Sequence, residues 1–343
     1  MLRHTLAEAV RSAAVRVLVV GAAGMVGRKL VTRLTRDGML AGEGISHVVL
    51  ADVVEPTAPA APSFEVEHAV ADLAHPGVAH ELLSCLPDVI FDLAAVVSGE
   101  AEADFEKGYR ANLDGTRLLL DAVRTAGSGY RPRLVFTSSI AVFGPPYPEA
   151  IGDDHGTTPL TSYGTQKAIA ELLLSDYTRR GFVDGLAIRL PTICVRPGEP
   201  NLAAFSFFSS IIREPLNGRG AILPVPDDIR HWFASPRAAV EFLVRAAEVD
   251  GEALGNRRSI TMPGVSATVA EQIEALRRAG GDDAVRLIRR EPDERILRIV
   301  QTWPGLFATK RAQALGFRAE ASFDEIVHVY VEDELGGRVG AAP

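Results

Sequence analysis

Along roughly the first 190 residues, short apolar runs alternate with longer segments in which apolar positions return every three or four places. The runs have the length of buried strands and the longer segments that of amphipathic helices, a rhythm that predicts βαβ units on a parallel sheet. Strands are expected at Arg16–Val20, His47–Asp52, Phe64–Val70, Asp88–Leu93, Arg133–Thr137 and Gly185–Leu190. Helices are expected near Met25–Arg36, Pro76–Cys85, Ala101–Thr125 and Ser162–Arg180. PTAPAAP, residues 56–62, can continue neither kind of element and predicts a surface loop. Beyond Leu190 the alternation loosens and Gly/Pro punctuation rises, in VRPGEPN, REPLNG and LPVPDD. The chain therefore reads as a sheet-bearing domain over 15–190 and a smaller part over 191–343, from which some segments return to the first domain. MLRHTLAEAVRSAA, residues 1–14, mixes charge with alanine, lacks the apolar core of a secretion signal and reads as an N-terminal extension.

Composition narrows the partners. The 343 residues are 47% hydrophobic and 23% charged, the balance of a globular protein with one large domain or two joined ones. A formal charge of −8 argues against nucleic acid or an anionic membrane, yet local arginines can still hold a small anion. No apolar run has the length needed to cross a bilayer. Cys85 and Cys194 lack metal-ligand spacing and sit in apolar stretches, so they are expected as buried small hydrophobes, and no metal is expected. The cytoplasm is the expected compartment.

VRVLVVGAAGMVGRKL reads as a strand, a tight turn and a helix start, with Gly21, Gly24 and Gly27 spaced GxxGxxG. Such glycines allow an unusual φ, close approach to a pyrophosphate and tight helix–strand packing. The helix start, at Met25 and Val26, offers free N–H groups to phosphate oxygens. A plain strand–helix turn is the alternative for the glycines alone. Asp52, ending the strand in VVLAD, sets a carboxylate where adenosine ribose hydroxyls would lie; no arginine or lysine flanks it for a 2′-phosphate, so NAD is expected rather than NADP. Asp72, in VADLA, either reaches the adenine amino group or caps a helix near Pro76. Together these predict an α/β fold: a doubly wound parallel (Rossmann) sheet with a smaller C-terminal substrate-binding part.

SYGTQKA, residues 162–168, places Tyr163 and Lys167 one turn apart on a helix capped by Ser162 or Thr161. A free phenol titrates near about 10, and a cation in contact favours its ionised form. Lys167 and the positive ring of NAD⁺ would together bring Tyr163 towards the range of a general base, and Lys167 could also donate to the nicotinamide ribose. RLVFTSSIAVFG sets Thr137, Ser138 and Ser139 at the C-terminal end of a buried strand, where open parallel sheets bind ligands. Asn112, in YRANLDGT, interrupts a leucine-rich helix; it either bonds near the site or lies at the surface.

In order and spacing, GAAGMVG, LAD, DVIFDLAAVVSG, YRANLDGT, FTSSIAVFG and SYGTQKA resemble the extended branch of the short-chain dehydrogenase/reductase family, the NAD-dependent epimerases and dehydratases. TKRAQALGFRAEASFDEIV resembles its C-terminal end, so the resemblance covers nearly all of the chain after residue 14. It implies Ser139 as the serine on the substrate hydroxyl, Tyr163 as the base and Lys167 as its partner. It also implies cofactor-side or supporting roles for Gly21, Gly24, Gly27, Asp52, Asp72, Ala94 and Asn112, with Met25, Val26, Leu73, Ala95 and Thr137 beside them.

Within that branch, VVSGEAEADFEKG and RLPTICVRPGEPNLAAFSFFSSIIREPLNG look like the D-erythronate dehydrogenase group. This implies NAD⁺-dependent oxidation at C2 of a four-carbon sugar acid, and a homodimer through the helices near residues 101–125 and 162–180. A sugar-acid carboxylate calls for an arginine. Arg196 and Arg230 are the candidates, with Ser98, Thr192 and His231 for hydroxyls; a packed or surface histidine is an equal reading of His231, and Arg237 also reads as a helix-start residue. The Thr-Asp-Glu run of dehydratases is replaced by SSIAV. A nucleotide-sugar epimerase of the same branch is the alternative reading.

Overall fold

The computed structural model describes residues 14–198 and 205–339. The expected extension lies outside the described residues except for Ala14, which already opens the first strand, Ala14–Val20.

Eight strands form the main sheet. From one edge run Ser259–Thr261, Asp184–Leu190, Arg133–Ser139, Val89–Asp92, Ala14–Val20 and Glu43–Asp52. Glu65–Val70 lies parallel to the last of these, and Met39–Leu40 folds back antiparallel on its start. The chain thus builds outward from Ala14–Val20 in one direction, then restarts at Val89–Asp92 and builds in the other. The crevice between these two neighbours is a topological switch point, where ligands of open parallel sheets bind.

The strand sequences explain this arrangement. Val17 and Val19 enter the core on one face of the sheet, Leu18 and Val20 the core on the other. A strand covered on both faces has to be apolar throughout, which is why its sequence shows no alternation. A third core, including Phe208, Ile212, Phe233 and Leu276, fills the C-terminal part. The segment Ser259–Thr261 returns from there to pair with Asp184–Leu190 at the sheet's edge.

Three expectations need correction. The single helix expected over 101–125 is a series: Ser98–Ala103, Phe105–Tyr109, a π-helical turn at Arg110–Asp114, and Gly115–Thr125. Asp104 makes the break, since its backbone is extended and its side chain accepts from the Lys107 N–H at 3.0 Å. The helix expected at Pro76–Cys85 shrinks to Val78–Leu82 behind Gly77, whose φ of 91° stops it starting earlier, so Asp72 is not its cap. Cys194 is buried as expected, but Cys85 is only partly covered. No described helix is long and apolar enough to cross a membrane.

Candidate active site

The glycine turn closes the first strand. Gly21 has φ 86°, and a Cβ there would lie 2.7 Å from the backbone nitrogen of Ala94 on the neighbouring strand's exit loop. At Gly27 a Cβ would meet the Gly21 carbonyl oxygen and come within 2.8 Å of the Ala22 Cα. Replacing Gly27 with alanine therefore forces the turn open. We expect Gly27→Ala to lose about 1–3 kcal/mol of stability, seen as a lower Tm, and to weaken NAD binding by titration. Gly24 caps the helix Met25–Asp37 with no side-chain bond, and its first turn carries no acidic residue. Its free N–H groups are thus available to an anion.

Asp52 fixes the turn from the side. Its Oδ2 accepts from the Ala23 N–H at 2.9 Å and its Oδ1 from Val54 at 3.4 Å. Asp72 accepts from the Ala74 N–H at 2.9 Å and pairs with Arg110, next to the buried Leu73. Asn112 is wholly buried in the π turn rather than at the surface. Its Oδ1 accepts from Val96 N–H at 2.9 Å and its Nδ2 donates to Gln166 at 2.8 Å, tying the exit loop after Val89–Asp92 to the Tyr163 helix.

One cleft runs across the switch point. Its lining joins the glycine turn and helix start, Gly21, Gly24, Met25, Val26 and Gly27, with Ala95 and Ser98 after the strand Val89–Asp92. Thr137, Ser138, Ser139, Tyr163 and Lys167 line it too, as do Thr192, Arg196, Phe205 and Trp303 from the C-terminal part. A glycine floor with no room for side chains, an uncapped helix start and an unpartnered ammonium at Lys167 fit a dinucleotide laid along this cleft.

Tyr163 and Lys167 stand on the helix Ser162–Arg179, capped by Thr161, whose hydroxyl accepts from the Gly164 N–H at 3.0 Å. Tyr163 and Ser139 line the cleft together. Burial pushes the Tyr163 phenol up, while the positive charge of Arg196 and the Ser139 side chain pull it back. Spacing points to Lys167 as the electrostatic partner, but its Nζ lies 5.8 Å from the Tyr163 ring centroid, and the protein cation acting on the phenol here is Arg196. Lys167 is itself buried and pulled down to about 8 by loss of water, with Asp92 and then Glu171 opposing.

Arg196 is held by its backbone. Its N–H donates to Ser209 Oγ at 3.1 Å and its carbonyl accepts from Arg213 at 2.8 Å, both from the helix Ser206–Leu216. Its Nε donates to the Ile193 carbonyl at 3.1 Å, and among the described residues no carboxylate pairs with it. Arg230 is elsewhere: exposed and paired with Glu271 at 3.4 Å, it is not brought to the cleft. Arg237, just inside the helix Pro236–Glu248, pairs with Glu332 and Asp333.

His231 does not line the cleft but bonds the residue that does. It is fully buried, its Nε2 lies 2.7 Å from the Thr192 hydroxyl, and Phe205 and Phe208 stack on it. Burial pulls it down to about 3, so it is neutral near pH 7. Unfolded, a histidine takes a proton near about 6.5. As pH falls from there towards 3, the unfolded chain binds a proton that the fold refuses, and stability declines. We expect Tm to drop less steeply between about pH 6.5 and 4 in His231→Gln than in the parent protein.

Sequence reasoning missed Asp92, Gln166, Glu171, Phe205 and Trp303. Glu171 had a signal, since Tyr163, Lys167 and Glu171 repeat at four-residue intervals on one helix face. Phe205 and Trp303, with ring centroids 3.8 Å apart, come from distant segments and had none. Among the described residues no group of three or more His, Cys, Asp or Glu could hold a metal ion.

Comparison with known proteins agrees with this geometry. The model of the NAD dependent epimerase/dehydratase family matches residues 17–233. A D-erythronate dehydrogenase from Cupriavidus necator is 48% identical over 321 residues, covering 92% of this chain and 98% of that one. A second, from Haemophilus influenzae, is 39% identical over 320 residues, 93% of this chain and 100% of its own. Among solved structures, the nucleoside-diphosphate-sugar epimerase from Agrobacterium tumefaciens superposes with a TM-score of 0.93 at 61% identity, covering 95% of this chain and 96% of that one. The chain belongs to the NAD-dependent epimerase/dehydratase family.

Proposed function

We propose that this protein is an NAD-dependent dehydrogenase that oxidises the C2 hydroxyl of D-erythronate to 2-oxo-erythronate. The observation that carries the reading is the meeting, in one cleft, of a Ser139–Tyr163 pair with an arginine that no described carboxylate neutralises. The D-erythronate dehydrogenases, similar over nearly their whole length, support the substrate.

In this reading the glycine turn and the N–H groups of Met25 and Val26 hold the pyrophosphate. Asp52 takes the adenosine ribose, and Asp72 with Leu73 borders the adenine. Ala94, Ala95, Asn112 and Thr137 shape the path towards Lys167, which donates to the second ribose. When bound, NAD⁺ supplies the acceptor for the hydride that leaves C2. Arg196 grips the substrate carboxylate, and Ser98 and Thr192 take hydroxyls further along the chain. Ser139 holds the C2 oxygen, and Tyr163 removes its proton. The tilted pair Phe205 and Trp303 lines the same cleft.

A homodimer belongs to the same proposal. Phe105 and Leu172, 55% and 71% exposed, lie on the helices expected to pair, and a cytoplasmic enzyme is expected. Light scattering in solution tests the dimer. The likeness to the nucleoside-diphosphate-sugar epimerase from Agrobacterium tumefaciens favours a second reading, a nucleotide-sugar epimerase. One assay separates the two. Purified protein with NAD⁺ and D-erythronate should accumulate NADH at 340 nm (a property of the dihydronicotinamide ring), whereas an epimerase returns its hydride and shows no net reduction; a flat trace with D-erythronate defeats the proposal.

A further inference from the structure

The charge on Lys167 is costly where it sits. The side chain is 1% exposed and its Nζ has no hydrogen-bond partner among the described residues. The Phe136 ring, with its centroid 4.6 Å away, offers only a weak cation–π contact. The groups that bear on the ammonium come from three elements. Tyr163 and Glu171 share its helix, Arg189 reaches in from the strand Asp184–Leu190, and Asp92 ends the strand Val89–Asp92.

Glu171 is already engaged. Both of its oxygens accept from the Arg189 guanidinium, at 2.7 Å for the closest contact, and Oε1 also accepts from the Ser138 hydroxyl at 2.5 Å. Asp92 is different. It is 1% exposed, its Oδ2 accepts from the Thr116 hydroxyl at 2.8 Å, and its Oδ1 has no partner among the described residues. Asp92 stands opposite Phe136 in the parallel pairing of Val89–Asp92 with Arg133–Ser139, and the Lys167 ammonium lies over that same Phe136 ring, so the two buried groups share one face of the sheet without a direct salt bridge. Burial pushes the Asp92 carboxyl up, and the Lys167 charge is the strongest influence opposing that, so each buried charge is made tolerable by the other.

We propose that Asp92 is the counter-ion of Lys167, a positioning residue that keeps the ammonium protonated beside the Tyr163 helix turn, with Thr116 holding the carboxylate in place. The proposal deepens the reading of Lys167 as the donor to the second ribose and rests on it for its catalytic meaning. Of the charges that favour the protonated lysine, Asp92 acts most strongly and Glu171 next. Lys167 sits at about 8 with both present, so removing Asp92's charge moves its titration down towards the working range. A neutral Lys167 no longer offers a charged donor to the second ribose. The alkaline limb of the kcat profile should therefore move to lower pH, while the acid limb, set by Tyr163 and Arg196, stays where it is.

Asp92→Asn keeps the size and an acceptor for Thr116, and removes only the charge. The direct test follows the Lys167 Cε signal by NMR in apoenzyme labelled with ¹³C-lysine, with no substrate or cofactor present. The Lys167 midpoint should fall by about one pH unit or more in Asp92→Asn, and the alkaline limb of the kcat profile should move down with it. An unmoved midpoint overturns the proposal. A lowered midpoint with an unmoved kcat profile keeps Asp92 as the counter-ion and sinks the catalytic reading of Lys167 instead. Should Asp92→Asn fail to fold, Thr116→Val, which loosens the carboxylate, should lower the same midpoint by a smaller amount; no change there also overturns the proposal.

Discussion

Tyr163→Phe should lower kcat for sugar-acid oxidation by roughly 10²–10⁴-fold, about 3–5 kcal/mol of barrier, while leaving the fold and NAD affinity nearly unchanged. The substitution removes one hydroxyl and no packing. That oxygen is the one on which Ser139 and Arg196 act, and none of the glycine turn, Asp52 or Lys167 depends on it for position. The pH dependence carries further information. Burial raises the phenol above its usual value, so in the parent enzyme the rate should climb with pH as the proton is lost. The residual rate of the Phe variant should lack that rise. Steady-state kinetics across pH, with NAD titrated by fluorescence as the control, check both statements. Full activity in Tyr163→Phe would remove the base from the mechanism.

What the sequence disclosed depended on how local the signal was. The glycine turn, Asp52 and the Tyr163–Lys167 pair are each set by spacing within a few residues, and their elements lie where periodicity put them. The buried strands were equally legible, because covering both faces leaves an unbroken apolar run. The break at Asp104 and the π turn around Asn112 were not. Helix-forming residues continue straight through both, and what bends the chain is a side-chain cap and the tie from Asn112 to Val96 and Gln166. Choosing between Arg196 and Arg230 lay equally beyond spacing. Both are arginines in irregular stretches, and contacts with Ser209, Arg213 and Glu271 decide which one faces the cleft. Asp92 stood in plain view as a charge inside the apolar run VIFDLAA. Its significance needed Thr116 and Lys167, from elements distant in sequence, to be brought around it.

Arg196 acts on two things at once, and two substitutions should separate them. As anchor of a carboxylate through charge-assisted bonds, it contributes about 1.5–3 kcal/mol, so Arg196→Gln should raise KM for the acid by roughly 10–100-fold. As the protein cation acting on the Tyr163 phenol, it also holds the base down. Removing its charge should therefore shift the rise of kcat with pH to higher values. Arg196→Lys restores a charge but not a planar fork with paired donors. The lysine variant should recover much of the pH profile while keeping a raised KM. An anchor without electrostatic influence predicts otherwise: Arg196→Gln would change KM alone and leave the pH profile where it was. A residue that only shapes the loop predicts a third outcome, in which both variants lose stability together and neither separates KM from pH. The backbone bonds to Ser209 and Arg213 do not involve the guanidinium, so the loop should survive both substitutions and the split should be measurable.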